Sequence, residues 1–186
     1  YYAPVDERRR PVAGEEKFEE CDCLLLSVGL IPENDLLAGT DVERDRVTSG
    51  AVVDERRMTS VEGIFSCGNV LHVHDLVDNV SHEAETAGKY AALYALNRAE
   101  AAGHSYSVRG ENGVRYVLPQ KLHSESGKTE LFFRVDNVYR SCRIVAESDG
   151  RTLYSGKRLV LAPGEMEKIT VDTTGLNAPV TVRLEL

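Results

Sequence analysis

The hydrophobic pattern changes period at Gly103, and that change limits the fold more than any other feature of the chain. Before it, apolar residues come as short unbroken runs and as one long stretch with helical spacing. After it they alternate in short segments separated by turn residues. Residues 78–102 predict a helix, with Asp78, Asn79 and Ser81 as candidate N-caps and Gly103 as its stop. Ala84, Ala87, Gly88, Ala91, Ala92 and Ala95 recur at spacings of three and four, a face that admits close approach of a sheet or a second helix. The run 21–29 reads as a strand buried on both faces, the kind that belongs to parallel sheets covered by helices. Gly29, free to adopt a backbone closed to other residues, and Pro32, which stops further pairing, end it. Shorter strands are expected at 51–54 and 63–67, and a short helix at 34–37.

Beyond Gly103, strands are expected at 114–118, 130–136, 142–147, 151–155, 158–161, 167–171 and 180–186. Turn signals lie at 148–150, 155–157, 163–164 and 174–175. Leu131, Phe133 and Val135 alternate with Phe132, Arg134 and Asp136. About seven short strands at this spacing suggest an antiparallel sandwich. The expected architecture is therefore an α/β part ending near residue 104, followed by an all-β, sandwich-like domain over 105–186.

Charge divides at the same place. Residues 1–104 carry 10 basic and 20 acidic side chains, and residues 105–186 carry 12 and 10, within a net charge of −8. The acidic first part repels phosphate backbones, which argues against nucleic-acid binding. No run of about 18 apolar residues is present, so no membrane span is expected. The opening residues lack the apolar core of a secretory signal, which favours a cytoplasmic protein. Cys21, Cys23, Cys67 and Cys142 include no C-x-x-C pair and read as buried thiols in a reducing compartment. Residues 1–20 suggest a hairpin with its tip at Arg8-Arg9-Arg10-Pro11 and Ala13-Gly14-Glu15, the Arg triplet being either a solvated loop or a phosphate contact.

Two segments carry chemistry: Ser27-Val28-Gly29-Leu30-Ile31-Pro32, and Thr59-Ser60-Val61-Glu62-Gly63-Ile64-Phe65-Ser66-Cys67-Gly68-Asn69. In this order, with the Ala/Gly-faced helix after them, they resemble the two-dinucleotide-binding-domain flavoproteins, the pyridine nucleotide-disulfide oxidoreductase superfamily. The stretch Cys67-Gly68-Asn69-Val70-Leu71-His72-Val73-His74-Asp75-Leu76-Val77-Asp78 is similar to a subgroup found beside glycerol-3-phosphate dehydrogenase proteins. The resemblance implies three parts. Residues 1–32 would be the end of a nicotinamide-binding domain, 33–104 the C-terminal part of an FAD-binding domain, and 105–186 a β-sandwich domain. The first two would be the α/β remnant of the full flavoprotein.

The resemblance also implies FAD as cofactor and NAD or NADP as co-substrate, with Gly29 and Pro32 closing the nicotinamide domain. It places Gly68, Asn69 and the N–H groups near Val80 and Ser81 at the flavin. A glycine at a strand end lets a bulky ligand reach the backbone, and a helix N-terminus suits a carbonyl that gains negative charge on reduction. Most relatives have Asp where Asn69 stands; the amide oxygen still accepts a hydrogen bond. An ordinary Gly-Asn turn and an ordinary capped helix remain the alternatives.

His72 and His74 either line a flavin or substrate pocket or are structural. As a metal pair they lack further ligands, His82 being the only other nearby candidate, so no metal site is expected. No catalytic residue is assigned, and Cys67 is not expected to be a catalytic thiol. No Gly-x-Gly-x-x-Gly turn occurs. The chain is accordingly expected to be an incomplete part of its parent, inactive alone and prone to self-association through unpaired sheet edges. The alternative is a non-catalytic module that docks subunits of a multi-subunit dehydrogenase.

Overall fold

The computed structural model describes residues 1–8, 10–26, 29–98, 103–124 and 126–186. Arg9 of the expected hairpin tip, Ser27 and Val28 of the first motif and the expected helical tail at 99–102 lie outside these. The chain divides into two compact units, Tyr1–Leu30 and Ile31–Leu186.

The first unit is an irregular hairpin. Antiparallel bridges join Tyr2 to Lys17 and Val5 to Pro11. The Asp6 carboxylate closes the tip by accepting the N–H groups of Arg8 and Arg10, each at 2.8 Å. The buried strand expected over 21–29 is not formed by its described residues: 21–26 join no ladder, and Leu24, Leu25 and Leu26 are 73, 90 and 76% exposed. A strand buried on both faces needs a neighbour on each side, and this unit supplies neither. Cys21 and Cys23 are consequently exposed, whereas Cys142 is buried and Cys67 half-buried. Gly29 lies outside the left-handed region and has open space around its Cα, so its conformation does not require glycine.

In the second unit, residues 31–76 are mostly turns and single bridges, Arg44 to Ala51, Val53 to Thr59 and Met58 to Phe65, with 3-10 turns at Asp35–Leu37 and Gly68–Val70. The expected strands at 51–54 and 63–67 are reduced to these bridges. Helix α1 spans Val77–Ala95, earlier at both ends than its pattern implied. Its N-cap is Leu76, with no side-chain cap, in place of Asp78, Asn79 or Ser81. Only Glu83 and Ala87 of α1 are buried. Most of the Ala/Gly face is open, and a Cβ at Gly88 would meet nothing within 4 Å.

Eight strands follow: β1 (Ser105–Glu111), β2 (Val114–Leu118), β3 (Lys121–His123), β4 (Lys128–Val135), β5 (Tyr139–Ser148), β6 (Arg151–Leu161), β7 (Glu167–Asp172) and β8 (Val180–Glu185). They form a five-stranded sheet in the order β3-β1-β8-β5-β6 and a three-stranded sheet β2-β4-β7. The pairing is not wholly antiparallel, because β1 runs parallel to β8. Strands β1 and β3 went unseen in the sequence because their apolar positions are few. The turn expected at 155–157 is absent; Gly156 continues β6 and pairs with Ile144. Asp149 and Gly150, with φ of 46° and 76°, form the tight two-residue hairpin turn between β5 and β6.

Both sheets share one core, built from Leu131, Phe133, Val135, Ile144, Val171 and Val182 among others. Phe132 points the opposite way, yet is also buried. With Leu118 it packs against Val42, Ala51, Val53 and Leu71. The three-stranded sheet is thus covered on both faces, the second by residues upstream of Gly103. That is why the change of period at Gly103 does not separate two compact units.

Candidate functional site

The second motif folds around a buried carboxylate. Glu83, one turn and a half into α1, has a fully buried side chain. Its Oε1 accepts the Arg57 Nε–H at 2.9 Å, and its Oε2 accepts the Gly68 N–H at 2.7 Å and meets His74 Nε2 at 3.0 Å. His72 Nε2 stands 3.8 Å from Oε1, beyond hydrogen-bond reach. Burial opposes charge on Glu83, but the imidazoles of His72 and His74 and the Arg57 guanidinium outweigh it and hold the carboxyl far below the usual range. Burial pushes the His72 imidazole down against the pull of Glu83. Burial, with the nearby charge of Glu83, raises the Cys67 thiol, which is the opposite of activation.

Local turns deliver these groups. Asp54 Oδ1 accepts the N–H groups of Arg56 and Met58 at 2.9 Å, closing a turn in which Arg57 takes a φ of 68°. The H-x-H spacing places His72 and His74 on one side of the chain, with ring centroids 4.3 Å apart. Asp75, next in sequence, fixes this segment to the β domain: it pairs with Arg134 of β4 and accepts the Met166 N–H. Both histidines are buried and pack against Phe132.

The expected flavin residues are placed as follows. Gly68 is buried with φ of 75°, and a Cβ there would lie 3.2 Å from Val80 Cγ1. Its backbone conformation and Val80 therefore explain the glycine without an approaching ligand. Asn69 is exposed, and its Oδ1 accepts the His74 N–H at 3.1 Å. Because α1 begins at Val77, the N–H groups near Val80 and Ser81 belong to the helical ladder. The donors left outside it are those of Val77 and Asp78, since Asn79 already donates to Leu76. The Gly68 turn and the first turn of α1 meet through Val80; Pro32 is half-buried, and Gly29, in the first unit, is exposed.

A second buried group, not anticipated in the sequence, joins Asp54 and Glu55 to β3. His123 Nδ1 meets Glu55 Oε1 at 3.1 Å, and Ser126 donates to the same oxygen at 2.6 Å. The hydrogen bond to Glu55 raises the His123 imidazole despite burial. A cleft of about 220 Å³ lies beside it, lined among others by Glu55, Arg57, His82, Lys89, Ser126 and Lys128. The spacing of 68 residues between Glu55 and His123 left no signal that a reading along the chain finds.

Residues 5–91 match the family model "Pyridine nucleotide-disulphide oxidoreductase". The chain is similar to a "Ferredoxin--NADP reductase" of Leuconostoc mesenteroides subsp. mesenteroides, 27% identical over 95 residues, which cover 50% of this chain and 28% of the reductase. The chain thus spans under a third of that relative's length. No solved structure matches it. No helix among the described residues is long and apolar enough to cross a membrane. Together the two matches support a pyridine nucleotide-disulphide oxidoreductase relationship.

Proposed function

We propose, from the oxidoreductase relationship of residues 5–91, that the chain is part of an FAD-dependent, NAD(P)-linked oxidoreductase. In this reading it contributes one edge of the FAD site and is inactive alone. The single observation that carries the proposal is the match itself, which spans the Gly68–Asn69 turn and the start of α1. The free N–H groups of Val77 and Asp78, at a helix end with no side-chain cap, are the donors suited to a flavin carbonyl. FAD supplies two-electron transfer between the nicotinamide and a further acceptor. The chain's own part is to hold the helix end and the Asn69 turn in place through Glu83. The exposed apolar residues Leu24, Leu25, Leu26 and Ile31 and the open face of α1 fit surfaces that the rest of such a protein covers. The subgroup associated with glycerol-3-phosphate dehydrogenase and a cytoplasmic location belong to the same proposal.

Val77→Pro tests the helix end. Proline is tolerated at the first helical position, and Leu76 already has the extended backbone that must precede it (φ −126°, ψ 136°). The substitution removes one donor and keeps the helix. In the FAD-loaded parent we expect weaker FAD retention and a more negative flavin potential. Retention and potential both unchanged would remove the α1 terminus from the site.

A further inference from the structure

The two buried polar groups of this unit differ in one respect. Around Glu55 the facing groups pair: Ser126 and the His123 N–H and Nδ1 all meet its carboxylate, and the neighbouring Asp54 takes backbone N–H groups. Around Glu83 they do so only in part: Arg57, Gly68 and His74 Nε2 pair with it, and His72 does not. His72 is 1% exposed, and among the described residues neither of its ring nitrogens has a hydrogen-bond partner; His74 Nδ1 also lacks one. A buried polar atom left unpaired costs about 1–3 kcal/mol, so His72 is a group for which the described residues provide no hydrogen-bond partner.

We propose that His72, His74 and Glu83 form a binding site for a divalent transition-metal ion. Their ligand atoms all lie within 4.8 Å of one another, and all three side chains are buried. The 3.8 Å between His72 Nε2 and Glu83 Oε1 is too long for a hydrogen bond. An ion bonded to both at roughly 2.0–2.2 Å spans it at an angle of about 130°, and spans the 3.0 Å from His74 Nε2 to Oε2 at about 90°. Binding gives His72 the partner it lacks and exchanges the proton shared by His74 and Glu83 for the metal. Gly68 N–H and Arg57 Nε–H already orient the carboxylate, the supporting role that ligating carboxylates require. The third ligand sits one residue beyond His82, the residue that the sequence pattern offered instead.

The donor set selects the ion. Two imidazoles and one carboxylate suit zinc, cobalt or nickel, whereas calcium and magnesium need more oxygen ligands. The Arg57 guanidinium offsets part of the carboxylate charge, which further disfavours ions bound by charge alone. Glu83 serves both this site and the flavin reading, but the metal site rests only on the placement of His72, His74 and Glu83.

The test is titration of the metal-free 186-residue chain with Co²⁺, followed by visible absorption and calorimetry. One ion per chain is expected, with affinity at least about tenfold weaker in His72→Asn and in His74→Asn. No Co²⁺ uptake by the wild-type chain, or unchanged uptake by a folded His72→Asn variant, would overturn the site. Should both variants fail to fold, proton NMR of the wild-type chain with one equivalent of Co²⁺ decides. Hyperfine-shifted signals from two imidazoles are expected, and their absence overturns the proposal.

Discussion

Glu83 shows how a single side chain couples sequence to architecture here. It is one of two buried residues on α1, and it holds Arg57, His74 and the Gly68 backbone together. Removing it leaves the Arg57 charge buried without its partner, so Glu83→Ala should destabilise the chain by about 3–5 kcal/mol in urea unfolding. His123 sets a pH dependence. Its folded pKa is raised above the ordinary value of 6.5 by Glu55. Its contribution is therefore complete below about pH 6.5 and is lost as pH rises through the folded value. Wild-type stability should fall across that window on His123's account, and His123→Gln should flatten the fall. A pH-independent difference between the two proteins would exclude the His123–Glu55 pair as the cause.

At the scale of elements, α1 and β4 are the informative pair. The Ala/Gly face of α1 stands open, and Gly88 has space for a Cβ. Gly88→Ala should therefore raise the stability of this chain by about 1 kcal/mol, through helix propensity alone. In a longer protein that packs this face closely, the same substitution should destabilise. Thermal unfolding of both forms compares the two signs. Strand β4 is buried on both sides, Phe133 toward the shared core and Phe132 toward Leu71 and Val53. Phe132→Ala should cost about 3–5 kcal/mol, where a solvent-facing residue would cost almost nothing. Urea unfolding monitored both at α1 and in the sheets should show a single transition for residues 31–186, because the second cluster draws on both regions.

For the molecule as a whole, strong periodicity was legible and dependence on neighbours was not. The alternation through Leu131, Phe133 and Val135 located β4, and helical spacing located α1, because each pattern is carried by local residues. The run Cys21 to Leu26 has the composition of a buried strand, but burial requires partners that composition does not specify. The two buried clusters escaped for a related reason: Glu55 meets His123, and Arg57 meets Glu83, through contacts far apart in sequence. The Gly68 motif was read as a ligand contact because glycine at a strand end permits one. Its φ of 75° gives the turn its own demand for glycine, and a flavin contact there belongs to the FAD proposal. The central proposal is that this chain supplies part of an FAD site and not a whole one. Absorbance between about 350 and 500 nm, after mixing with FAD and gel filtration, measures that directly. The 186-residue chain should emerge colourless, and the same chain extended by its parent's upstream residues should carry one flavin. Stoichiometric flavin on the 186 residues alone, or none on the extended protein, would contradict it.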